Sequence, residues 1–465
     1  MSGGDQSGGV PTVRSLPSRI LRGSGWVTGG RVITLVLGVA INKVLAKILT
    51  PTELGAYFTA FTMMMVGSSI GQLGLDRAVI RLVAAARGVG QDGKARQAIT
   101  IVFRWGTLGV VGVALILALG AGEWLALHVY HSPLVAALIP LTAGWIVATA
   151  LQSLVVETLR GFQRFAASTL FDALLVDIIA ASVFGAILVL SMRVDVHAVL
   201  ALSVAFTAIV ALVGGLVLLP RVRILKGDGT TARGEVFQIA WPLLVTNISI
   251  YLLGTGMDLL VLNAFVPLRT VALYGAASRL TLLVATPFTI LQGVTPPIVA
   301  ELHAQGKRDQ LESSLRAIAT LAGIPTLLIL IIFLLFGRQV LGILYAPFYE
   351  QAAPILVILS LARLVAVWTG SCGVALMMTG HQRAMMYLTV GTGVFSVTMG
   401  ILLAPHFGAM GVAVATSSAQ VTQNLLQLFL AKRLVGVWTY VYLAPKPLIR
   451  FFSHKTDEDG GTAAP

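Results

Sequence analysis

The sequence is short of charge. Asp, Glu, Lys and Arg make up 11% of its 465 residues, against roughly 25% in soluble globular domains. That excludes a soluble enzyme with a few anchoring helices. It also excludes a disordered chain, which combines low hydrophobicity with high charge. Cysteine is nearly missing as well: Cys372 is the only one, so no internal disulfide forms, and in its apolar stretch the thiol packs as a small hydrophobe. Acidic side chains are scarcer than basic ones, 19 against 32, for a net charge of +13. In a soluble protein that excess would point to nucleic acid. Here it fits basic loops that set membrane orientation, and no nucleic-acid partner is expected.

What the chain has is apolar residues, 57% of the total, with a mean hydropathy of +0.89. They run in long unbroken segments, unlike the short alternating ones of a membrane barrel. Twelve segments are placed, at 24–47, 54–75, 98–120, 134–157, 166–190, 197–219, 236–262, 271–295, 313–336, 354–378, 384–404 and 408–431. Each is long enough to cross about 30 Å of hydrocarbon. The expected fold is therefore an all-α integral membrane protein of about twelve transmembrane helices. With both termini cytoplasmic, 22 of the 32 Lys and Arg fall in cytoplasmic segments and 5 in or beside external loops, the asymmetry the positive-inside rule requires.

No apolar stretch precedes the first span, so no cleavable leader is expected, and residues 1–23, rich in Gly, Ser and Pro, read as a disordered cytoplasmic tail. Residues 24–219 form a first six-helix half, 220–235 a cytoplasmic linker and 236–432 a second half. Residues 433–465 read as an interfacial segment and tail, since Val437 to Phe452 mixes Trp438, Tyr440, Tyr442, Lys446 and Arg450. Cytoplasmic loops such as 76–97 are too short for a soluble catalytic module.

The halves repeat. Gly161-Phe162-Gln163-Arg164 recurs as Gly380-His381-Gln382-Arg383 at an offset of 219, and Gly74 recurs as Gly293 at the same offset. Pro51 and Tyr57 match Pro267 and Tyr274 at offsets of 216 and 217. An even number of spans per repeat keeps both halves parallel, related by an axis along the membrane normal, and such proteins hold substrate between halves that rock. Gly29 and Gly30 interrupt the first span and Pro242 the seventh, which points to a central cavity or to tolerated kinks. Gly67 and Gly71 form a small-residue pair suited to helix packing.

Charges inside spans are expensive and persist where they face a cavity or a partner. Arg31 in the first span, Arg279 in the eighth and Arg363 in the tenth stand at different depths, the first roughly 10 Å in from the cytoplasmic end. Arginine keeps its charge when buried and grips phosphate through a planar fork. Asp172 and Asp177 lie in the fifth span, about 140° apart on a helix, so they do not form one carboxylate pair. Either one carries a coupling ion or each pairs with an arginine. Asp258 in the seventh span is placed to pair with Arg279. Asp76, Arg77, Arg81, Arg104, Glu157 and Arg316 sit near cytoplasmic ends, where headgroup contact accounts for them. Gly88-xxxx-Gly93-Lys94 resembles a phosphate loop, but Ala95 replaces the metal-binding hydroxyl. His128 and His131 lack companions for a metal. No cofactor, metal or catalytic set is expected.

Several motifs carry a family resemblance over roughly residues 24–432. They are Arg31 with Leu49-Thr50-Pro51-Thr52-Glu53-Leu54-Gly55-Ala56-Tyr57, then Leu73-Gly74-Leu75 with Arg81, then Tyr274-Gly275-Ala276-Ala277-Ser278-Arg279-Leu280 followed by Pro296-Pro297, together with the Gly-x-Gln-Arg pair. The chain resembles Wzx-type O-antigen and exopolysaccharide flippases, in the superfamily that also holds MATE drug exporters and the lipid II flippase MurJ. Lipid II flippases usually have fourteen spans, which argues against that member. The resemblance implies a MATE/MurJ-like fold in the bacterial inner membrane. Its substrate would be an oligosaccharide repeat unit on undecaprenyl pyrophosphate, turned outward by alternating access. It also implies that Arg31 and Arg279, and less closely Arg363, touch the pyrophosphate or an acidic sugar. Expected partners are the bilayer and the lipid-linked oligosaccharide, with a polysaccharide polymerase and glycosyltransferases as candidate protein partners. The alternatives are a cation-coupled small-molecule exporter, which should prefer a carboxylate-rich cavity, a non-transporting scaffold for glycosyltransferases, and a membrane glycosyltransferase.

Overall fold

A computed structural model describes residues 16–225, 227, 234–241, 243–244, 256–292 and 295–442, with side chains described from residue 29 onward except at 297. Every regular element among them is helical. In chain order the first half holds α1 (Leu16–Ile48), α2 (Pro51–Gly71), α3 (Leu75–Gly88), α4 (Asp92–Val129), α5 (Pro133–Gly161), α6 (Phe165–Val189) and α7 (Val196–Ile224). The second half holds α8 (Met257–Asn263), α9 (Leu268–Gln292), α10 (Thr295–Ala304), α11 (Arg308–Leu344), α12 (Pro347–Thr369), α13 (Cys372–Met378) and α14 (Gln382–Val435). Nine described helices are long and apolar enough to cross a membrane. One of them, α14, contains two passes. Gly408 leaves helical geometry at φ 56° and ψ −135°, and Gln423 beyond it donates to Thr389 before it at 3.2 Å, so the chain doubles back. With α1 added, the passes match the expected spans except 236–262, of which residues 242 and 245–255, Pro242 among them, lie outside the described residues. So do Gly293, linker residues 226 and 228–233, residues 1–15 and residues 443–465.

Local signals explain the helix starts. Thr50 and Glu53 close a capping box at the head of α2, with the Thr50 N–H donating to Glu53 Oε2 at 2.9 Å and Pro51 in the first turn. Part of the Leu49–Tyr57 motif is thus a helix start. The repeat is visible in the element order: the short helix α3 after α2 has its counterpart in α10 after α9.

Three expectations are corrected. The stretch 76–97 is not simply a loop. Leu75, Ala78, Val79 and Val83 are fully buried at helical spacing and fold most of it into α3, with its arginines on other faces. The first helix begins at Leu16, inside the stretch read as a tail, because extending a formed helix costs far less than nucleating one. Gly29 and Gly30 do not break α1. Gly30 is a close approach, since a Cβ there would lie 2.2 Å from the Thr169 methyl on α6.

Packing divides the bundle along its length. One apolar core joins both halves, running from Leu45, Leu54 and Phe58 to Tyr274, Leu341 and Val412. At the end that carries the basic loops the core splits. Leu75, Val83, Leu159 and Phe162 cluster with Val236 and Ala240 from the start of the second half, and Val299, Leu315, Leu376 and Val435 form a separate cluster in the rest of it. The halves meet where α2 and α9 begin, and they also touch at the basic end, where a Cβ on Gly74 would lie 2.3 Å from the Ala240 carbonyl oxygen and Trp105 packs on Phe237 with ring centres 5.8 Å apart. Large apolar side chains such as Leu119, Val189, Leu212 and Leu335 face outward, as on a surface that meets hydrocarbon.

Candidate functional site: a charged cavity

A cavity of about 820 Å³ lies between α1, α2, α5 and α6, closed on the second-half side by Ser278 and Arg279 of α9 and by Tyr345. Small and polar residues open it. Gly38 and Asn42 on α1, Ser68 and Ser69 on α2, and Thr149, Gln152 and Ser153 on α5 line its wall. It belongs mostly to the first half, with the second half as its lid.

Of the residues singled out in the sequence, Arg31, Arg279, Asp172 and Asp177 line this cavity, and Arg363 and Asp258 do not. Arg31 stands 15 residues into α1, roughly 22 Å along the helix. Among the described residues Arg31 and Arg279 form no ion pair. Arg279 instead lays its guanidinium over the Phe58 ring, 3.7 Å from the centroid, and reaches Phe61 at 5.3 Å. Its Nη1 donates to the Gly275 carbonyl at 3.3 Å.

Asp258 does not pair with Arg279 as expected. The Tyr274 hydroxyl donates to Asp258 Oδ2 at 2.6 Å and the Leu259 N–H donates to Oδ1 at 2.9 Å. The tyrosine lies sixteen residues ahead on the neighbouring helix, a partner no spacing rule names. Arg363 on α12 sits within electrostatic reach of that pair.

Asp172 occupies a break. Helix α6 opens into a π-turn at Leu170–Leu174, where Asp172 has ψ −121°. Gln152 on α5 donates to the Phe171 and Asp172 carbonyls freed by the break. The Asp172 side chain, about half exposed, meets Arg160 Nη2 at 2.6 Å. Arg160 also holds Glu157 at 2.5 Å, and Arg77 approaches Glu157 at 3.9 Å. Asp76, Arg77 and Glu157 line the cavity. Headgroup contact was the expectation for Asp76, Arg77 and Glu157, which instead join this network, whereas Asp172 takes the arginine pairing that was one of its two expected roles. The available signal was Glu157 and Arg160 three apart near the end of an apolar helix. The wall therefore carries Arg31, Arg77 and Arg279 together with Asp76, Glu157, Asp172 and Asp177, a field of mixed charge.

The end of the described chain is tied to the bundle by its backbone, while Tyr440 and Tyr442 stay exposed. Thr439 is fully buried and donates to the Thr369 carbonyl at 2.6 Å, and the Val441 N–H donates to the Trp368 carbonyl at 2.9 Å. They cap carbonyls left open where α12 stops at Gly370, whose φ is 77°. Arg316 lies 4.4 Å from the ring centres of both Tyr440 and Tyr442.

Solved structures share this architecture. A multidrug resistance MATE family transporter of the MOP superfamily in an inward-facing conformation aligns with a TM-score of 0.72 at 13% identity, covering 87% of this chain and 94% of that one. The lipid II flippase MurJ in an inward closed conformation aligns at 0.70 and 14% identity, covering 87% of each chain. An outward-facing MATE family transporter aligns at 0.63 and 14%, covering 90% and 95%. No curated protein matches the sequence. The fold is thus the all-α, two-repeat membrane fold of MATE transporters and MurJ. The model of the family described as polysaccharide biosynthesis protein matches residues 20–303, more than half of the chain, and this multi-pass membrane protein belongs to that family.

Proposed function

We propose that the protein moves an oligosaccharide repeat unit on undecaprenyl pyrophosphate across the bacterial inner membrane for surface polysaccharide synthesis, by alternating access. The observation that carries this reading is Arg279, a cation from the second half facing a first-half cavity with no carboxylate paired to it among the described residues. Such a group offers its fork to an anionic ligand at the junction that alternating access must remodel. A pyrophosphate-linked sugar has a head that cannot cross about 30 Å of hydrocarbon unaided. Membership in a polysaccharide biosynthesis family supports the substrate class.

The substrate contacts assigned are Arg31 and Arg279, with Arg363 one helix back from the cavity. Asp177 is a candidate for ion coupling, and Asp172 and Asp258 serve as pairing groups. Equal transport with and without an imposed proton or sodium gradient would remove the coupling role. The carboxylates on the wall favour a second reading, a cation-coupled exporter of small molecules. Glu157 and Asp172 are engaged by Arg160, which lessens their pull on a cationic substrate.

The test is lipid extraction from a clean deletion strain. A lipid-linked oligosaccharide should accumulate on the cytoplasmic side as surface polymer falls. Wild-type protein should reverse both, and Arg279→Ala at equal abundance should not. No accumulation, with unchanged surface polymer, would overturn the reading in favour of the exporter.

A further inference from the structure

The cation with no carboxylate at its side is also part of the closed seam. Helices α2 and α9 meet backbone to backbone where the halves close. A Cβ on Gly55 would lie 2.0 Å from the Leu268 carbonyl oxygen, and one on Gly275 would lie 2.2 Å from Phe58 Cδ2. Phe58, fully buried on α2, is therefore clasped by two positions one turn apart on α9: the bare backbone of Gly275 and the guanidinium of Arg279, 3.7 Å from the ring centroid. Behind it stand Tyr57, with its ring centre 5.9 Å from that of Trp145, and Phe61 at 5.6 Å from the same indole. An aromatic bed of the first half thus carries a charge of the second. Arg279 is also in the cavity wall.

We propose that the Arg279–Phe58 contact is a latch in which the guanidinium either locks the α2–α9 seam on the Phe58 ring or binds the anionic group of the cargo. This rests on the function proposed above and names how occupancy of the site reaches the seam. Both arrangements draw on one group. A ring face stabilises a cation without satisfying its N–H donors, and the donor seen here makes a single 3.3 Å bond to Gly275. A phosphate oxygen pair satisfies the fork directly. A carboxylate in place of Phe58 would hold the arginine too firmly to release it. The ring holds it weakly enough for pyrophosphate to take it, and Phe58 then loses one side of its clasp. A ligand shifts a two-state element only by its differential affinity for the two states, and this contact supplies the difference.

The latch predicts an outcome that simple damage does not. Phe58→Leu removes the competitor for Arg279, so a pyrophosphate should bind roughly tenfold tighter, not more weakly. The full chain, with Cys372→Ala and spin labels at Thr52→Cys and Phe265→Cys beside the starts of α2 and α9, reads the seam in nanodiscs. The probe is a short-chain polyprenyl pyrophosphate. In the parent protein the ligand should add a longer inter-label distance. In Phe58→Leu that distance should be populated without ligand. Phe61→Leu, which loses the more distant ring, should behave likewise but less strongly, and it serves where Phe58→Leu does not fold. Binding by the parent with an unchanged distance overturns the latch and leaves the proposed function standing. So does weaker or unchanged binding by both variants. Failure of the parent to bind the pyrophosphate overturns the proposed function and the latch with it.

Discussion

Tyr274 on α9 donates a 2.6 Å hydrogen bond to Asp258 on α8, and both side chains are buried. The carboxylate is satisfied on its other oxygen by the Leu259 N–H. Tyr274→Phe takes away one of two donors and leaves a buried acceptor short. Interhelical hydrogen bonds in membrane proteins contribute about 0.6 kcal/mol on average and up to about 1.7. The tightness and burial of this pair place it at the upper end. Thermal unfolding in nanodiscs should show Tyr274→Phe less stable by about 1–2 kcal/mol. Tyr274→Phe combined with Asp258→Leu should cost less than the two single changes added together. Additive losses would show that the bond contributes nothing beyond its separate parts.

Arg160 bridges two unequal carboxylates. The Glu157 side chain is 7% exposed and that of Asp172 is 55% exposed. Removing the arginine leaves the buried carboxylate with only the longer 3.9 Å contact to Arg77 and frees the hydrated one. Arg160→Met should therefore destabilise by about 3–5 kcal/mol, and Asp172→Asn by no more than about 1 kcal/mol. Adding Glu157→Gln to Arg160→Met should recover much of the loss, because the buried charge is then gone. If Asp172→Asn cost as much as Arg160→Met, the network would depend on the exposed pair and not on burial.

The same contrast shows how far the sequence could be read. Long apolar runs, the Lys and Arg asymmetry and the repeated Gly-x-Gln-Arg gave the membrane class and the paired halves, because they express transfer cost and chain direction, which are local properties. Charges isolated in apolar helices led to Arg31, Arg279, Asp172 and Asp177 on the cavity wall, and equally to Arg363 and Asp258, which are not on it. Partners on other helices were not legible: that Asp258 would find Tyr274, that Arg279 would lie on Phe58, or that Glu157 would meet Arg77 and Arg160 would reach Asp172 depends on helix rotation, which hydropathy does not encode. Helix α3 was missed because a short amphipathic helix has no long apolar run. Its period was present in Leu75, Ala78, Val79 and Val83.

Glycines along the seam offer a test of closure. Ala at 55 or 275 would bring a methyl within 2.0 Å of a carbonyl oxygen or 2.2 Å of the Phe58 ring. No rotamer of an alanine relieves either. Gly55→Ala should weaken the closed seam, with an overpacking cost of about 1–3 kcal/mol and faster hydrogen exchange at the first turns of α2 and α9. Gly185→Ala on α6 is the control, since nothing lies within 4 Å of its added Cβ. Better helix propensity should leave it neutral or more stable by up to about 1 kcal/mol. Equal behaviour of the two variants would mean that the seam has slack not seen in its backbone contacts.

The segment after α14 is held by backbone groups, so its contribution is open to a backbone test. The Val441 N–H reaches the Trp368 carbonyl, and Thr439 reaches that of Thr369, where α12 ends and Gly370 turns to φ 77°. Val441→Pro removes one donor while leaving an apolar side chain, and Thr439→Val removes a hydroxyl at nearly constant volume. Each strands a carbonyl at a helix end and should cost about 1–2 kcal/mol. Hydrogen exchange should rise at residues 368–373 and stay unchanged at α2. Gly370→Ala should be worse than either, because its φ is unfavourable for an L side chain and its methyl would sit 2.0 Å from the Thr439 carbonyl oxygen. If deletion from residue 437 onward left exchange at 368–373 unaltered, the broken helix would be stable by itself and residues 437–442 would be passengers on it.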